Sequence, residues 1–369
     1  MSADAGWADL RRLFPALERC VYLDTASSGP VSTPAMNAGQ RFYALANAYG
    51  NRAADQWYGA VEDCRTRAAG FIGATTDEIG FVPNTSMAIT AAALMFEGYG
   101  AVVIGADEHP SVATPWLARG YEVRCAARDP DGRITPDSYA RAMTSATRVL
   151  AVSHVRFDDG QVNDLAALAA LARANGAHLV VDATQSAGIL PIDVGVGIDV
   201  LGFAGFKWMN AGYGGGVLYV RDGLLARYGL PIAGNRSRAT ESLDEVVALD
   251  PLLKAQAFEL GTVPVANLMA LGAALELVSS IGADRILDRV AALTGRLRAG
   301  LARIGLKTAS QALSPIVSVI VAESAQALNV MEAAGVHVAD RAGRIRVAVS
   351  WYNDEADIDR CLEAFASLA

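Results

Sequence analysis

Between residues 79 and 220, short runs of β-favouring apolar residues alternate with helix-like stretches, and no other feature constrains the fold as strongly. Runs lie at 79–82, 101–105, 122–125, 149–153, 179–182, 200–203 and 217–220, and all but 122–125 are largely continuous in apolar residues instead of alternating apolar with polar. Strands of that kind are buried on both faces, as in a parallel sheet covered by crossover helices. The stretch 164–175, rich in alanine and leucine and closed by Gly176, is the clearest of the intervening helices. The alternation predicts an α/β fold whose large domain holds a mostly parallel, seven-stranded sheet.

Beyond residue 220 the pattern changes. Residues 224–259 include PIAGNRSRATESLDE, polar and irregular, which reads as a loop over a site or an interface. Helical periodicity returns at 265–280 and 283–304. Strand and helix patterns then alternate at 316–321, 325–334, 345–350 and 355–367. The expected division is a large domain at 21–255, a smaller C-terminal α/β domain at 256–369, and a segment at 1–20 packed against the smaller one. A chain of 369 residues is ample for both.

Several function classes recede on composition. No apolar stretch is long enough to cross a bilayer, and MSADAGWADLRRLF mixes acids with bases and lacks a signal-peptide core. A soluble, cytoplasmic protein with no membrane partner is expected. A net charge of −8 without a basic stripe argues against a nucleic-acid partner. Cys20, Cys64, Cys125 and Cys361 stand far apart, as do His109, His154, His178 and His337, so no metal site is expected. Nor does a G-x-G-x-x-G turn join an early strand to a helix, as a nicotinamide-dependent dehydrogenase would want.

The chemistry concentrates in AHLVVDATQSAGILPIDVGVGIDVLGFAGFKWMNAGYGGGVLYV, residues 177–220. The strand LVV delivers Asp182 to its C-terminal end, where open α/β sheets place ligands. Lys207 follows the next apolar strand, between Phe206 and Trp208. Apolar surroundings disfavour the ammonium form and suit the amine to imine formation with an aldehyde. A nearby carboxylate would keep a pyridine nitrogen protonated, which is what pyridoxal 5′-phosphate (PLP) requires. Taken singly, Asp182 reads better as a helix cap and Lys207 as a solvated loop lysine; their places on consecutive strand ends reverse that balance and favour the cofactor reading. Upstream, GFVPNTSMAIT sets Asn84, Thr85 and Ser86 at the start of a helical run, 88–96, an N-cap ready for an anion.

With these residues in order, the chain resembles the class-V aminotransferase group of fold-type-I PLP enzymes. That group includes cysteine desulfurases, kynureninases, isopenicillin N epimerase-like proteins and cysteine lyases. The resemblance runs from VYLDTASSGP at Val21 to RVAVSWYNDEADIDR ending at Arg360. It implies that Lys207 bonds the cofactor's aldehyde, that Asp182 pairs with the pyridinium nitrogen, and that Gln185 hydrogen-bonds the phenolate oxygen. His109, in DEHPSV, would stack on the ring and assist proton transfer. Asn84, Thr85 and Ser86 would bind phosphate, while Thr262, in FELGTVP, would reach the phosphate of a partner subunit. The last point implies a homodimer with shared active sites. Arg346, in RIRVAVSWYN, would grip the substrate α-carboxylate, a task suited to its bidentate fork.

The departures narrow the reaction. Cysteine desulfurases carry Ser-x-His before the lysine, whereas this chain has Ala204, Gly205 and Phe206; they also carry a nucleophilic cysteine before the arginine, and residues 310–346 contain none. The stretches FKWMNAGYGGG and HVRFDDGQVNDL resemble the kynureninase and epimerase side, although Phe206 lacks the hydroxyl of the tyrosine common there. The expected chemistry is α-proton removal by Lys207, followed by β-elimination from a cysteine S-conjugate, in a specialised route such as natural-product biosynthesis. Transamination, epimerisation with His109 or Tyr213 as second base, decarboxylation, or a degenerate PLP binder without activity are the alternatives. Trp57, Tyr58, Tyr213 and the pair Arg236 and Arg238 are possible side-chain contacts, each equally readable as packing or as a solvated loop.

Overall fold

The strand-forming runs assemble into one seven-stranded sheet in the computed structural model, which describes residues 6–240, 250–309 and 314–368. Its spatial order is Ile79–Val82, Gly216–Val220, Val200–Ala204, His178–Asp182, Thr147–Ser153, Ala101–Gly105 and Val123–Ala126. Only Gly216–Val220 runs against its two neighbours; the other strands are parallel to one another. Apart from the edge strand Val123–Ala126, the sheet is buried on both faces, as continuous apolar strands demand. Leu179, Val181 and Leu201 face one core, whereas Val180 and Val200 face the other. The C-terminal ends of six strands therefore open on one edge, where the connecting loops carry the polar residues.

The helices covering the sheet begin where the sequence places caps. Asn84 caps Thr85–Met95 by accepting from the Met87 amide at 3.0 Å, and Asp164 caps Leu165–Ala174 in the same way. Two long helices, Thr33–Tyr49 and Ala54–Ile72, were not legible in the sequence, and both pack on Val265–Ile281. That last helix is apolar around its circumference and is buried in the large core. It bends by 78° into Ala283–Arg303, and among the described residues no single helix is long and apolar enough to cross a membrane.

The C-terminal strands form a separate four-stranded antiparallel sheet, ordered Ala339–Arg341, Arg344–Ala348, Ile316–Ile320 and Lys307–Thr308. Its apolar face packs with Ala283–Arg303, Ser324–Ala333 and Glu355–Ala366. The N-terminal segment joins here. Val21–Tyr22 pairs in parallel with Val336–His337, Asp24 bridges to Ala348, and Phe14 packs against the rings of Trp351 and Tyr352. The irregular region after residue 223 starts with a short helix, Leu224–Tyr228, and continues through single turns at Asn235–Ser237 and Ala255–Phe258. Part of it, 241–249, lies outside the described residues.

One buried ion pair ties the edge strand of the large sheet to the chain that follows this region. Arg65, 1% exposed, donates to Glu259 at 2.5 Å, to the carbonyl of Ile79 at 2.9 Å and to Glu62 at 2.9 Å. Glu259 in turn accepts from the amide of Phe81 at 3.1 Å. Removing one partner leaves the other charge buried and uncompensated. Glu259→Ala is therefore expected to cost about 3–5 kcal/mol, measured as a lower urea midpoint with an unchanged slope. A loss below about 1 kcal/mol, the range of an exposed pair, would show that the pair is not effectively buried.

Candidate active site

A cavity opens at the C-terminal edge of the large sheet. Its walls are Asn84, Thr85, Ser86, His109, Ser111, Ser153, Phe157, Asp182, Thr184, Gln185, Phe206 and Lys207, and its empty space is ≈ 530 Å³ counting the open mouth. Five of the six parallel strand ends contribute. Thr85 follows Ile79–Val82, His109 follows Ala101–Gly105, Ser153 and Asp182 end their strands, and Lys207 follows Val200–Ala204. Because His178–Asp182 and Val200–Ala204 are neighbours in the sheet, Asp182 and Lys207 open on the same edge.

Lys207 is held by its backbone. The loop closes through Gly205 N–H to Gly215 O at 2.8 Å and Asn210 N–H to Lys207 O at 3.0 Å. Gly29 packs so closely on the Lys207 carbonyl that a Cβ there would collide with it, so only glycine permits this approach. Burial is the main cause that pushes the Lys207 amine down to about 8; Asp182 opposes that shift, while Arg346 and Arg341 reinforce it. A neutral, nucleophilic amine is thereby populated near neutral pH.

Asp182 is oriented on both oxygens. Oδ1 accepts from the Thr184 amide at 2.9 Å and Oδ2 accepts from Ser111 Oγ at 2.9 Å. A carboxylate has lone pairs beyond these two, so it can still accept from a ring N–H. Ser111 Oγ also lies 2.7 Å from His109 Nδ1, which joins the imidazole to the carboxylate through one hydroxyl. His109 caps Pro110–Ala118 and packs edge-on to Phe157 at 5.0 Å. Burial, then the positive charge of Lys207, hold its imidazole below the usual range despite Asp182. The ring is therefore neutral near pH 7.

Gln185 has a fixed orientation. Trp208 Nε1, which can only donate, lies 2.8 Å from Gln185 Oε1, so the amide nitrogen faces the Ala26 carbonyl at 2.9 Å. Its second hydrogen remains for a ligand. At the other end of the cavity, Thr85 bonds Thr184 through their hydroxyls, and the first amides of Thr85–Met95 lack intrahelical acceptors. A dianion is matched by such a helix start. The lysine, the carboxylate, the donor amide and the anion-binding turn together fit PLP.

Arg346 sits beside this cavity on the strand Arg344–Ala348 and is 1% exposed. Nη1 donates to Phe157 O at 2.9 Å; Nη2 donates to Ser27 Oγ at 2.6 Å and Asp24 Oδ1 at 3.2 Å. Its Nε, also buried, finds no acceptor among the described residues. Thr262 stands apart, exposed and outside the cavity walls. Tyr213 stacks on the outer face of Phe206 at 4.7 Å and is 65% exposed. Trp57 packs edge-on to Phe42, Tyr58 is exposed, and Arg236 reaches Glu259 at 3.5 Å. None of these, nor Arg238, lines the cavity.

Ser153, Phe157 and Thr184 in the cavity walls escaped the sequence reading, and so did Ser111 and Glu108. Ser111 had a signal, since it lies two residues after His109 in a helix start. Glu108 had less: its buried carboxyl accepts from Ser153 N–H at 3.0 Å and Oγ at 2.7 Å, and burial pushes it above the usual carboxylate range. Its partner is forty-five residues away.

A doubly covered, mostly parallel sheet with a desolvated lysine one strand from a carboxylate defines a fold-type-I PLP enzyme. The chain belongs to the class-V aminotransferase family, whose pattern it matches over residues 21–361. It is 33% identical over 309 residues to a probable cysteine desulfurase of Methanothermobacter thermautotrophicus, covering 80% of this chain and 76% of that one. The uncharacterized aminotransferase YcbU of Bacillus subtilis is 28% identical over 366 residues, covering 97% and 96%. Among solved structures, the apo cysteine desulfurase of Thermococcus onnurineus superposes with a TM-score of 0.90 at 24% identity, over 100% of this chain and 99% of that one. The cystine C–S lyase C-DES superposes with a TM-score of 0.87 at 21% identity, over 96% and 99%.

Proposed function

We propose that this PLP enzyme cleaves the C–S bond of a cysteine S-conjugate by β-elimination. The observation that carries the reading is a buried, readily deprotonated Lys207 at a cavity with no thiol in its walls. Cys64 and Cys361 are buried in cores, with burial raising each thiol to about 12; Cys125 is exposed on the strand Val123–Ala126, and Cys20, its thiol also raised by burial, donates to the Ala16 carbonyl away from the cavity walls. A persulfide-forming desulfurase needs a mobile thiolate at the site, and these surroundings supply none.

In this reading Arg346 holds the α-carboxylate with the donor left on its fork, and Lys207 Nζ takes the α-proton. The C–H electron pair becomes a carbon–carbon double bond as the C–S pair leaves on sulfur, and the thiolate is protonated. With one water consumed, the products are a thiol, pyruvate and ammonia. The bound cofactor supplies an electron sink for the α-carbon. Asp182, steadied by Thr184 and Ser111, keeps the ring nitrogen protonated, and Gln185 donates to the phenolate oxygen. His109 covers the ring face, and Asn84, Thr85 and Ser86 bind phosphate.

Thr262 we assign to the phosphate of a partner subunit in a homodimer. Its exposure supports this, as do Met36, Tyr43, Tyr49, Tyr58 and Met87, large apolar residues left exposed. We also keep the division into 21–255 and 256–369, with 1–20 docked on the latter through Arg11, which donates to Asp357 at 2.6 Å. The helix Val265–Ile281 is the joint, since it packs into the large core. A cytoplasmic, specialised biosynthetic role fits a site that departs from the desulfurase pattern.

The test is incubation of the PLP-loaded protein with S-substituted cysteines. Pyruvate, ammonia and thiol in equal amounts are expected. Alanine with persulfide from unsubstituted L-cysteine would make it a desulfurase, and accumulation of the pyridoxamine form with an oxo acid would make it an aminotransferase.

A further inference from the structure

We infer that Arg341 recognises a second negative charge on the substrate, so that the preferred conjugates carry an acidic group on the departing thiol. The inference rests on the lyase reading and adds the substrate class to it. Arg341 ends the strand Ala339–Arg341 and pairs with Arg344 across a two-residue turn. Both turn residues, Ala342 and Gly343, have positive φ, at 52° and 73°. That is the backbone of a tight hairpin whose twist matches its strands. Alanine is unfavourable in this region, and such conformations persist where the surrounding structure imposes them.

The hairpin carries Arg341 to Ser27. Arg341 Nη2 donates to Ser27 Oγ at 3.1 Å, and Arg346 Nη2 donates to the same oxygen at 2.6 Å. Two cations thus share one neutral acceptor. Arg346 has Asp24 at 3.2 Å to balance it. Arg341 has only the carbonyl of Asp340 at 3.1 Å besides Ser27, and no carboxylate lies within ion-pairing distance of it among the described residues. Yet its charge acts on the chemistry, since it adds to the burial that lowers the proton affinity of both Lys207 and His109.

The two arginines differ in setting. Arg346 is enclosed, with its fork fixed by Asp24, Ser27 and Phe157. Arg341 is exposed at the hairpin end, where it meets whatever extends from the α-carbon toward solvent. A neutral leaving group leaves its charge unbalanced, whereas an acidic one supplies the missing partner. Arginine's planar fork gives that contact geometric as well as electrostatic selectivity.

S-carboxymethyl-L-cysteine and S-carbamoylmethyl-L-cysteine have nearly the same size and differ in charge. Binding to the PLP-loaded enzyme is read from the change in its visible spectrum, and turnover from pyruvate. The enzyme is expected to favour the carboxymethyl compound by about fivefold, the upper range of an exposed charge pair. Arg341→Gln should bring the ratio to near unity, and Arg341→Lys should retain part of the preference. No preference in the unaltered enzyme, or an equal loss for both compounds in Arg341→Gln, overturns the assignment. Preferential binding without pyruvate upholds Arg341 and removes the lyase reading. Pyruvate from both compounds without preference does the reverse.

Discussion

Lys207→Ala protein supplied with PLP is expected to lose the visible absorption of a lysine-bound cofactor, and turnover should fall by roughly 10²–10⁴-fold or more. The cofactor should still bind non-covalently, because Asp182, Gln185 and the turn at Thr85 remain. The same lysine makes a prediction about stability. Burial lowers its folded-state pKa from 10.5 to about 8. Between those values the unfolded chain binds more protons than the folded one, so the contribution of this group to stability rises with pH there. The destabilisation is complete below about pH 8 and fades toward pH 10.5. Cofactor-free Lys207→Met protein should therefore be more stable than the parent at pH 7, by on the order of 3 kcal/mol, and the gap should close above pH 10. Denaturant titrations of both proteins at several pH values measure this. A gap independent of pH would mean that Lys207 is not desolvated, and retained lysine-type absorption in Lys207→Ala would place the cofactor elsewhere.

Arg346→Ala should have the next largest effect, and a double one. Truncating one partner of a buried, hydrogen-bonded charge pair costs about 2–5 kcal/mol in binding, so amino-acid affinity should fall by a factor on the order of 10²–10³. Asp24 would also lose its cation inside the fold, lowering stability by about 3–5 kcal/mol. Arg346→Lys separates the two effects. One ammonium can balance Asp24, but it cannot also serve Ser27, Phe157 O and a bidentate carboxylate. Its stability should recover while KM stays high, as read from thermal midpoints and spectral titration. Unchanged affinity in Arg346→Ala would exclude the carboxylate role and favour an amine or a decarboxylating substrate.

The large sheet was legible because its strands are buried on both faces, and continuous apolar runs reveal that directly. Every one of the seven strands falls within two residues of its expected place. Asp182 and Lys207 were legible for a related reason: a charged residue at the end of such a run must open onto the sheet's edge. The helix Thr33–Tyr49 was missed because little of it faces a core. Its core-facing stripe is made largely of small or half-buried residues, Ala35, Ala38 and Phe42, while Met36, Tyr43 and Tyr49 are exposed, so its apolar residues do not mark one face. The strands Val21–Tyr22 and Val336–His337 are too short to show a period at all. Arg65 with Glu259, and Arg341 with Ser27, are pairings between distant parts of the chain. Local patterns carry no information about such meetings. The Arg236 and Arg238 loop looked like a site feature because it is polar, yet Arg236 serves the buried Glu259 instead.

The pairing of Val21–Tyr22 with Val336–His337 has a consequence for synthesis. Asp24 and Ser27 emerge from the ribosome early, whereas the strand bearing Arg346 emerges some 300 residues later. The large sheet can form while translation continues, since its strands are close in sequence and domains tend to fold as units. The carboxylate pocket cannot. Until the last strands arrive, Asp24 has no guanidinium and the N-terminal strand has no partner. The cofactor-facing residues at the edge of the large sheet can therefore be in place before the carboxylate pocket during biogenesis.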